Sequence, residues 1–550
     1  MKRLDGIGMA AGKDKGPGSF LDWMGLRGAQ DWTVARPLGP LFTLVLALLF
    51  LGAIAAAFGV IWHTVTNAFG TAATGPSLGA GAMIAALLGA PFVIWATVLK
   101  QKTVEFQKEG HITDRINKAV EMLGAEKTVK RDGNERTVPN IEVRIGALLS
   151  LERIAQDSTA YDKGRDHVRV MEILCAYVRE NAKAEDAPSD NPRDLWEKAL
   201  SEARAELEPL GLEEAAFKLQ AQDLAHKKCG INPVEPDLRD QVKAWVDALP
   251  PPRADIQLAL TIIGRRSPAQ RHVEARWGPD AAPDAQWVFD TPCPELPEPP
   301  EGQRHGLDKI EAFKNALARW RETLRRYRNY GYRLDLRGIN LQKADLSGLI
   351  LSGADLSGAR MEGAVLRLAR MQGASLSEAR MEGADLSEAR MQGAVLSGAR
   401  MERAVLRVAR MQGASLSEAR MEGADLRLAR MEGADLSEAR MEGANLRLAR
   451  MEGAVLRLAR MQGITSLNAA TFHGAAFKDV SLLTVPISED QVKSAYGDAS
   501  VTLPEGMAWP EKWPTWRLPF DGEHGFYDQW RRWQADPTGY TPPPKPEDTA

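Results

Sequence analysis

The side chains that could do chemistry are few and scattered. Eight histidines and three cysteines are spread over 550 residues. Asp166-His167 opens a helical stretch and reads as an N-cap pair. His272 and His305 lie near linkers, and His473 falls at the end of a repeated block. Cys175, Cys229 and Cys293 form an odd, sparse set without C-x-x-C, which argues against a disulfide framework and a zinc site. Reduced thiols in a cytoplasmic compartment fit that usage. Gly6-Ile7-Gly8-Met9-Ala10-Ala11-Gly12-Lys13 has the outline of a phosphate loop, but Ile7 replaces its first glycine and Asp14 its magnesium-binding hydroxyl. No strand precedes it either. With no nucleophile–base pair, metal spacing or phosphate loop left, the sequence predicts no catalytic residue, no cofactor and no metal, and a protein that is not an enzyme.

What remains is repetition. From Leu334 to Gly463 an apolar residue recurs at every fifth position: Leu336, Leu341, Leu346, Leu351, Leu356, Met361, and so on to Met461. A small residue, usually Ala, stands two places before most of them (Ala344, Ala354, Ala359, Ala364). A period of five matches neither a helix nor an ordinary strand. It does match a turn every five residues, with four pentads closing one square coil and the Ala and Leu/Met positions inside. Ala344-Asp345-Leu346-Ser347-Gly348, Ala354-Asp355-Leu356-Ser357-Gly358 and Ala384-Asp385-Leu386-Ser387-Glu388 carry an A-(D/N)-L-x-x signature. The stretch resembles the pentapeptide-repeat family, which implies a right-handed quadrilateral β-helix, assigned here to 334–484.

Residues twenty apart then share a face, stacked at ~4.8 Å. One face carries Arg360, Arg380, Arg400, Arg420 and Arg440 beside Glu362, Glu382, Glu402, Glu422 and Glu442, and reads as charge-compensated and exposed. Its opposite carries a candidate basic stripe, Arg370, Arg390 and Arg410, beside Gln372, Gln392 and Gln412. A third is polar and acidic, with Ser357, Ser377, Ser397, Ser417, Ser437, Glu378, Glu418 and Glu438. The fourth is the candidate interaction face: Arg367, Leu368, Arg407, Val408, Arg427, Leu428, Arg447 and Leu448, with Val365 and Val405. Stacked exposed apolar residues form a patch, and such patches mark contact, either with the chain itself or with a partner. Some pentapeptide-repeat proteins resemble DNA, a role that needs a strongly acidic surface. Here 19 basic residues face 17 acidic ones between Leu334 and Gly463, a net +2, which argues against that mimicry. A net charge of −3 over the whole chain gives no reason to expect a nucleic-acid partner either.

Other elements must hold this solenoid. A polar tail at 1–37 precedes two uncharged apolar stretches, 38–62 and 78–99, each exceeding the ~20 residues that cross a bilayer as a helix. Together they predict a transmembrane hairpin over 38–99. Arg27 and Arg36 precede it, Lys100, Lys102 and Lys108 follow it, and the connection at 63–77 lacks Lys and Arg. Both termini are therefore expected on the cytoplasmic side of a bacterial inner membrane. No charge lies within the spans, so they read as an anchor rather than a conduction path. Residues 100–278 show helical apolar stripes, as in Ile141–Ala155 and Asp166–Val178, that pair as in HEAT-like arrays. This segment resembles the helical domain that precedes the repeats in many bacterial pentapeptide-repeat proteins, with 183–250 as an insertion. A Pro-rich linker (279–306) and an amphipathic helix expected to cap the solenoid (307–333) follow, and a Pro/Trp-rich tail (485–550) is expected to close its far end. The whole chain reads as a multidomain, membrane-anchored scaffold that presents a rigid β-helix to a cytoplasmic protein. The alternative is a regulatory protein acting through its helical domain. A homo-oligomer is compatible with either.

Overall fold

The computed structural model describes residues 112–545, apart from 132–133, 162–163, 189, 212, 232–236, 278–283, 300–304 and 523, together with single positions between 51 and 100. The chain divides after Lys118 into two units, and the elements below belong to the second, which begins at Ala119. It opens with an antiparallel hairpin, β1 (Glu126–Arg131) and β2 (Asn134–Pro139). Helices α1 (Ile141–Tyr161) and α2 (His167–Asn181) pack with α6 (Ala254–Gly264) and α7 (Pro268–Ala275). Between α2 and α6 the insertion forms α3 (Pro192–Leu207), α4 (Glu214–Cys229) and α5 (Asp237–Ala248). The long helix α8 (Leu307–Tyr330) precedes the solenoid, and α9 (Glu489–Lys493) and α10 (Phe526–Ala535) follow it. The apolar segments 38–62 and 78–99 lie outside the described residues, save scattered positions of the first, where Leu51, Phe58 and Trp62 are helical and exposed. Among the described residues no helix is long and apolar enough to cross a membrane.

A turn every five residues brings residue i beside residue i+20. Parallel bridges run Asp335↔Asp355, Asn340↔Arg360, Asp345↔Val365 and Ile350↔Arg370, then coil after coil to Arg440↔Arg460. Each joins two backbone bonds: at Asp345↔Val365, Val365 N donates to Ala344 O at 2.9 Å and Leu346 N to Val365 O at 2.8 Å. The Ala and Leu/Met side chains point inward and are buried from Leu336 to Leu456, and only Leu349, standing in an alanine's place, is half-buried. Each buried Leu or Met contributes about 1.5–3 kcal/mol. After Gly463 one extra residue enters, and Asn445 pairs with Ser466 and Arg450 with Thr471. Phe472 and Phe477 then take inward positions, their rings 5.5 Å apart.

An uncovered coil exposes a row of unpaired strand groups. At the N-terminal end the helical domain supplies the partners. Asn340 N donates to Ala182 O at 2.7 Å and Ile350 N to Gly264 O at 2.8 Å. Ala182 and Gly264 end α2 and α6, where helix carbonyls lack intrahelical donors. The Gln257 amide acts as a short strand, accepting from Asp345 N at 3.1 Å and donating to Asp345 O at 2.6 Å. At the far end Tyr496 and Thr502 pair with Ala476 and Ser481, and Trp513 packs against Gly497 while donating to Ala495 O at 2.9 Å.

Helix α8 does not cap the solenoid, as its place before the repeats suggested. It lies along one side. Its Leu324, Trp320, Leu317, Phe313, Ile310 and Leu307 sit in turn over Gly373, Gly393, Gly413, Gly433, Gly453 and Gly474. The reason is commensurate spacing. Leu307 to Leu324 spans ~25 Å of helix, and the five coil steps from Gly373 to Gly474 span ~24 Å. The linker before α8 is an ordered strap on the same side: Phe289 packs on Gly353 and Gly373, and Trp320 Nε1 donates to Thr291 O at 3.3 Å. Trp287, Phe289 and Tyr327 close the hairpin of strap and helix edge-to-face, with centroids 5.0–5.6 Å apart.

Gly413 has φ +61° and faces Leu317 within 2.9 Å of where a Cβ would stand, whereas Leu428 holds φ +60° with its side chain in solvent. Gly413→Val is expected to destabilise by at least about 2 kcal/mol through clash and left-handed strain. Leu428→Gly should stay within about 1 kcal/mol of wild type, because relieved strain offsets added chain entropy. Paired thermal melts of the two variants check this.

Candidate interaction faces

The faces differ in what already covers them. On the Arg/Glu face Arg360 pairs with Glu362 of its own coil, and each arginine from Arg380 to Arg440 reaches back one coil. Arg380 Nε lies 3.1 Å from Glu362, Arg400 Nε 3.0 Å from Glu382, Arg420 Nε 2.9 Å from Glu402, and Arg440 Nη2 2.9 Å from Glu422. These pairs are not solvent-exposed, as the repeats alone implied, since Glu362, Glu382 and Glu402 are buried. The insertion buries them. Asn191 caps α3 by accepting from Arg193 N, and α3 lays its first turns across the ladder. Asp194 bridges Arg380 and Arg400 at 2.5 Å each, Glu197 pairs with Arg420, and Arg193 reaches Glu422 at 3.2 Å. Burial pushes the Glu382 carboxyl up to about 7, with Arg400 and Arg380 opposing it, and raises Glu402 for the same reason.

The candidate basic stripe is met from outside the repeats. Arg370 lies 3.5 Å from Asp290 and Arg410 3.2 Å from Glu295, both on the strap, while Arg390 stays exposed. Counting charges within the repeats alone left these two arginines unmatched. Glu295 also reaches Arg430 at 3.7 Å, and Arg450 donates to Leu296 O at 3.2 Å.

On the Ser/Glu face α8, α10 and the last coils frame a groove of about 590 Å³. Lys314, Arg321, Asp435, Arg457, Phe520 and Trp530 are among its walls. Lys314 stands 3.4 Å from the Trp530 ring centre and donates to Gln534 Oε1 at 2.8 Å. Burial lowers its ammonium to about 7. Arg457 pairs with Glu438 at 2.5 Å.

The Arg/Leu face is open. Leu368, Val408, Leu428 and Leu448 are 54%, 43%, 47% and 39% exposed, each with φ near +60°. Arg427 closes on Asp425 of its own coil at 2.5 Å, and Arg367 comes no nearer than 4.0 Å to Asp385. Behind Arg427, Arg407 helps to hold the Asp425 carboxyl low; among the described residues it closes on no carboxylate, and Arg447 forms no ion pair. All eight residues singled out from the sequence therefore stand together on one face, while Arg370 and Arg410 of the basic stripe are engaged by the strap and Arg390 is not. Sequence reading missed Asp194 and Glu197, whose three-residue spacing on a helix matches the coil step. Asp166 does stand at the N-cap of α2, although its side chain makes no capping bond; nothing in the sequence signalled that His167 is fully buried, 2.9 Å from Glu274. Arg266 joins them, 2.5 Å from Glu274 and donating to Ile350 O at 3.0 Å.

A solenoid with uniform inward layers and four distinct outward ladders is a repeat protein built to display surfaces. The pentapeptide-repeat family model matches residues 333–367, 369–407, 389–427 and 424–463, and the chain belongs to that family. Among solved structures it is similar to HetL of the cyanobacterium Nostoc sp. strain PCC 7120, a pentapeptide-repeat protein involved in heterocyst differentiation regulation. Identity is 30% over 31% of this chain and 72% of that one, with a TM-score of 0.23. A pentapeptide-repeat protein of the Arabidopsis thaliana thylakoid lumen is 31% identical over 23% of this chain and 84% of that one, with a TM-score of 0.12. QnrB1, a plasmid-mediated fluoroquinolone resistance protein, is 18% identical over 32% and 84%, with a TM-score of 0.26. No curated protein matches. Proteins of the family are generally interaction scaffolds and mostly non-enzymatic.

The Glu382 shift sets a pH signature. A carboxyl raised from 4.5 to about 7 binds its proton more readily in the folded chain, so its contribution is lost as pH rises through that window. Glu382→Gln removes the titration. The melting-temperature difference, variant minus wild type, should therefore grow between about pH 5 and about pH 7.5. A constant difference in scanning calorimetry would contradict the raised carboxyl.

Proposed function

We propose that this chain is a non-enzymatic scaffold, anchored in a bacterial inner membrane through 38–62 and 78–99, that offers its Arg/Leu face to a protein partner in the cytoplasm. The observation that carries the reading is the contrast between faces. Strap, helix and insertion cover the Arg/Gln and Arg/Glu faces, whereas four apolar corners of the Arg/Leu face stay open. Non-glycine residues at φ near +60° cost about 1–2 kcal/mol each. Keeping Leu or Val there is a poor choice for stability and a sound one for contact. The exposed Leu51, Phe58 and Trp62 on helical backbone, with cationic flanks on both sides of the apolar segments, support the anchor. The second reading, regulation through the helical domain, draws on the buried His167–Glu274–Arg266 network that ends on Ile350 of the first coil.

The test is co-purification from membranes with Leu368→Ser, Leu428→Ser and Leu448→Ser combined. Partners present with wild type should be lost while the melting temperature stays within about 3 °C. Retained partners with a lower melting temperature would mean that the face serves the fold. Carbonate washing of membranes, with and without residues 1–110, checks the anchor.

A further inference from the structure

Two faces of this solenoid already hold helices, and both do so by one rule. Along α8, apolar residues three or four apart meet glycine corners one coil apart. Along α3, Asp194 and Glu197 are three apart and address Arg400 and Arg420, again one coil apart. Three helical residues rise ~4.5 Å, against ~4.8 Å per coil. A straight helix laid along the axis therefore presents one side chain per coil with little drift.

The Arg/Leu face repeats both halves of this pattern without an occupant. Arg407, Arg427 and Arg447 stand in three successive coils, with Val408, Leu428 and Leu448 as the next column. Ser387 interrupts the arginine column and Glu388 the apolar one a coil earlier, so the uninterrupted site spans 405–448. Two of its three arginines lack an ion-pair partner among the described residues, and Arg427 closes only on Asp425. The corners here are bulky where those under α8 are glycine. They act as knobs, and what lies against them must offer small residues.

Resting on the scaffold reading above, we infer that the partner segment is an acidic amphipathic helix. It carries Asp or Glu at i, i+3 and i+7 over Arg407, Arg427 and Arg447, with a stripe of small residues over Val408, Leu428 and Leu448. The α3 contact supplies the charge chemistry, carboxylates bridging arginines of neighbouring coils, and the α8 contact supplies the spacing. A basic helix is excluded by the same ladder.

The probe is an 18-residue Ala-rich synthetic helix with Glu at i, i+3 and i+7, compared with its Lys counterpart by fluorescence anisotropy against the full chain in detergent. The Glu peptide should bind with an affinity that falls as salt rises, and the Lys peptide should not bind. Arg407→Glu, Arg427→Glu and Arg447→Glu together should weaken binding at least about tenfold. The milder Arg→Gln triple should show a smaller loss and guards against misfolding. Equal binding of both peptides, or binding unchanged in the Glu triple, overturns the inference. Salt-sensitive self-association lost in the triple, without peptide binding, overturns it in favour of a second copy. If the Leu→Ser variant loses its membrane partners while the Arg triple keeps them, the acidic helix falls and the scaffold stands.

Discussion

The backbone ladder between residues twenty apart constrains everything else in this molecule. It fixes the rise of every coil, and with it the spacing of every outward side chain. Inside, the ladder forces Ala and Leu or Met into identical layers, which is why the pentads tolerate so little variation. Outside, it converts sequence columns into straight rows. Any element that covers the solenoid must match that rise, and α-helices do so because one turn is close to one coil. Helix α8, strap and insertion are three answers to the same geometric demand.

Corner residues sort the faces. Each coil turns through a left-handed corner, a conformation that glycine adopts without penalty. Under α8 the corner is glycine throughout, from Gly353 to Gly474, and there the missing Cβ also makes room for the helix. On the Arg/Leu face it is Leu368, Glu388, Val408, Leu428 and Leu448, with no helix to accommodate. Glycine here marks where the chain packs on itself as much as where the backbone turns. Val408 is the extreme case, a β-branched residue held at φ +60°.

The period-five pattern made the solenoid legible from sequence alone, because inward positions admit few residue types. The one-residue slip after Gly463 was legible too, since the phase of Phe472 and Phe477 records it. Coverage was harder to read. The stripe Ile310, Phe313, Leu317, Trp320 and Leu324 says that α8 buries a face, but not whether that face meets the end or the side of the solenoid. Its mean spacing of about 3.5 residues lies between the ~3.2 that match one coil rise and the ~3.6 of a free helix, so it fits either placement. The pairing of Asp194 with Arg380 joins residues 186 apart in sequence, and no local pattern announces it. The helical domain's capping role was equally hidden, because Ala182 and Gly264 act through backbone carbonyls. That the eight Arg/Leu residues share one face was readable because a strictly repeated chain reveals its faces by arithmetic. The apolar span at 78–99 lies outside the described residues, as does most of 38–62.

Order of synthesis gives the strap and α8 a particular history. Leu307 leaves the ribosome roughly 170 residues before Gly474, the last glycine it packs against. At ~5–20 residues per second the helix waits for several seconds to half a minute with its apolar stripe unmatched. Its docking site is built one coil at a time, beginning at the Leu324 end and finishing at Leu307. The helix therefore closes like a zip from its C-terminus backward, against the direction of translation. Until the last coils form, the basic residues crowding its C-terminal half, Arg319, Arg321, Arg325, Arg326 and Arg328, give the waiting segment a net positive charge, which favours solubility.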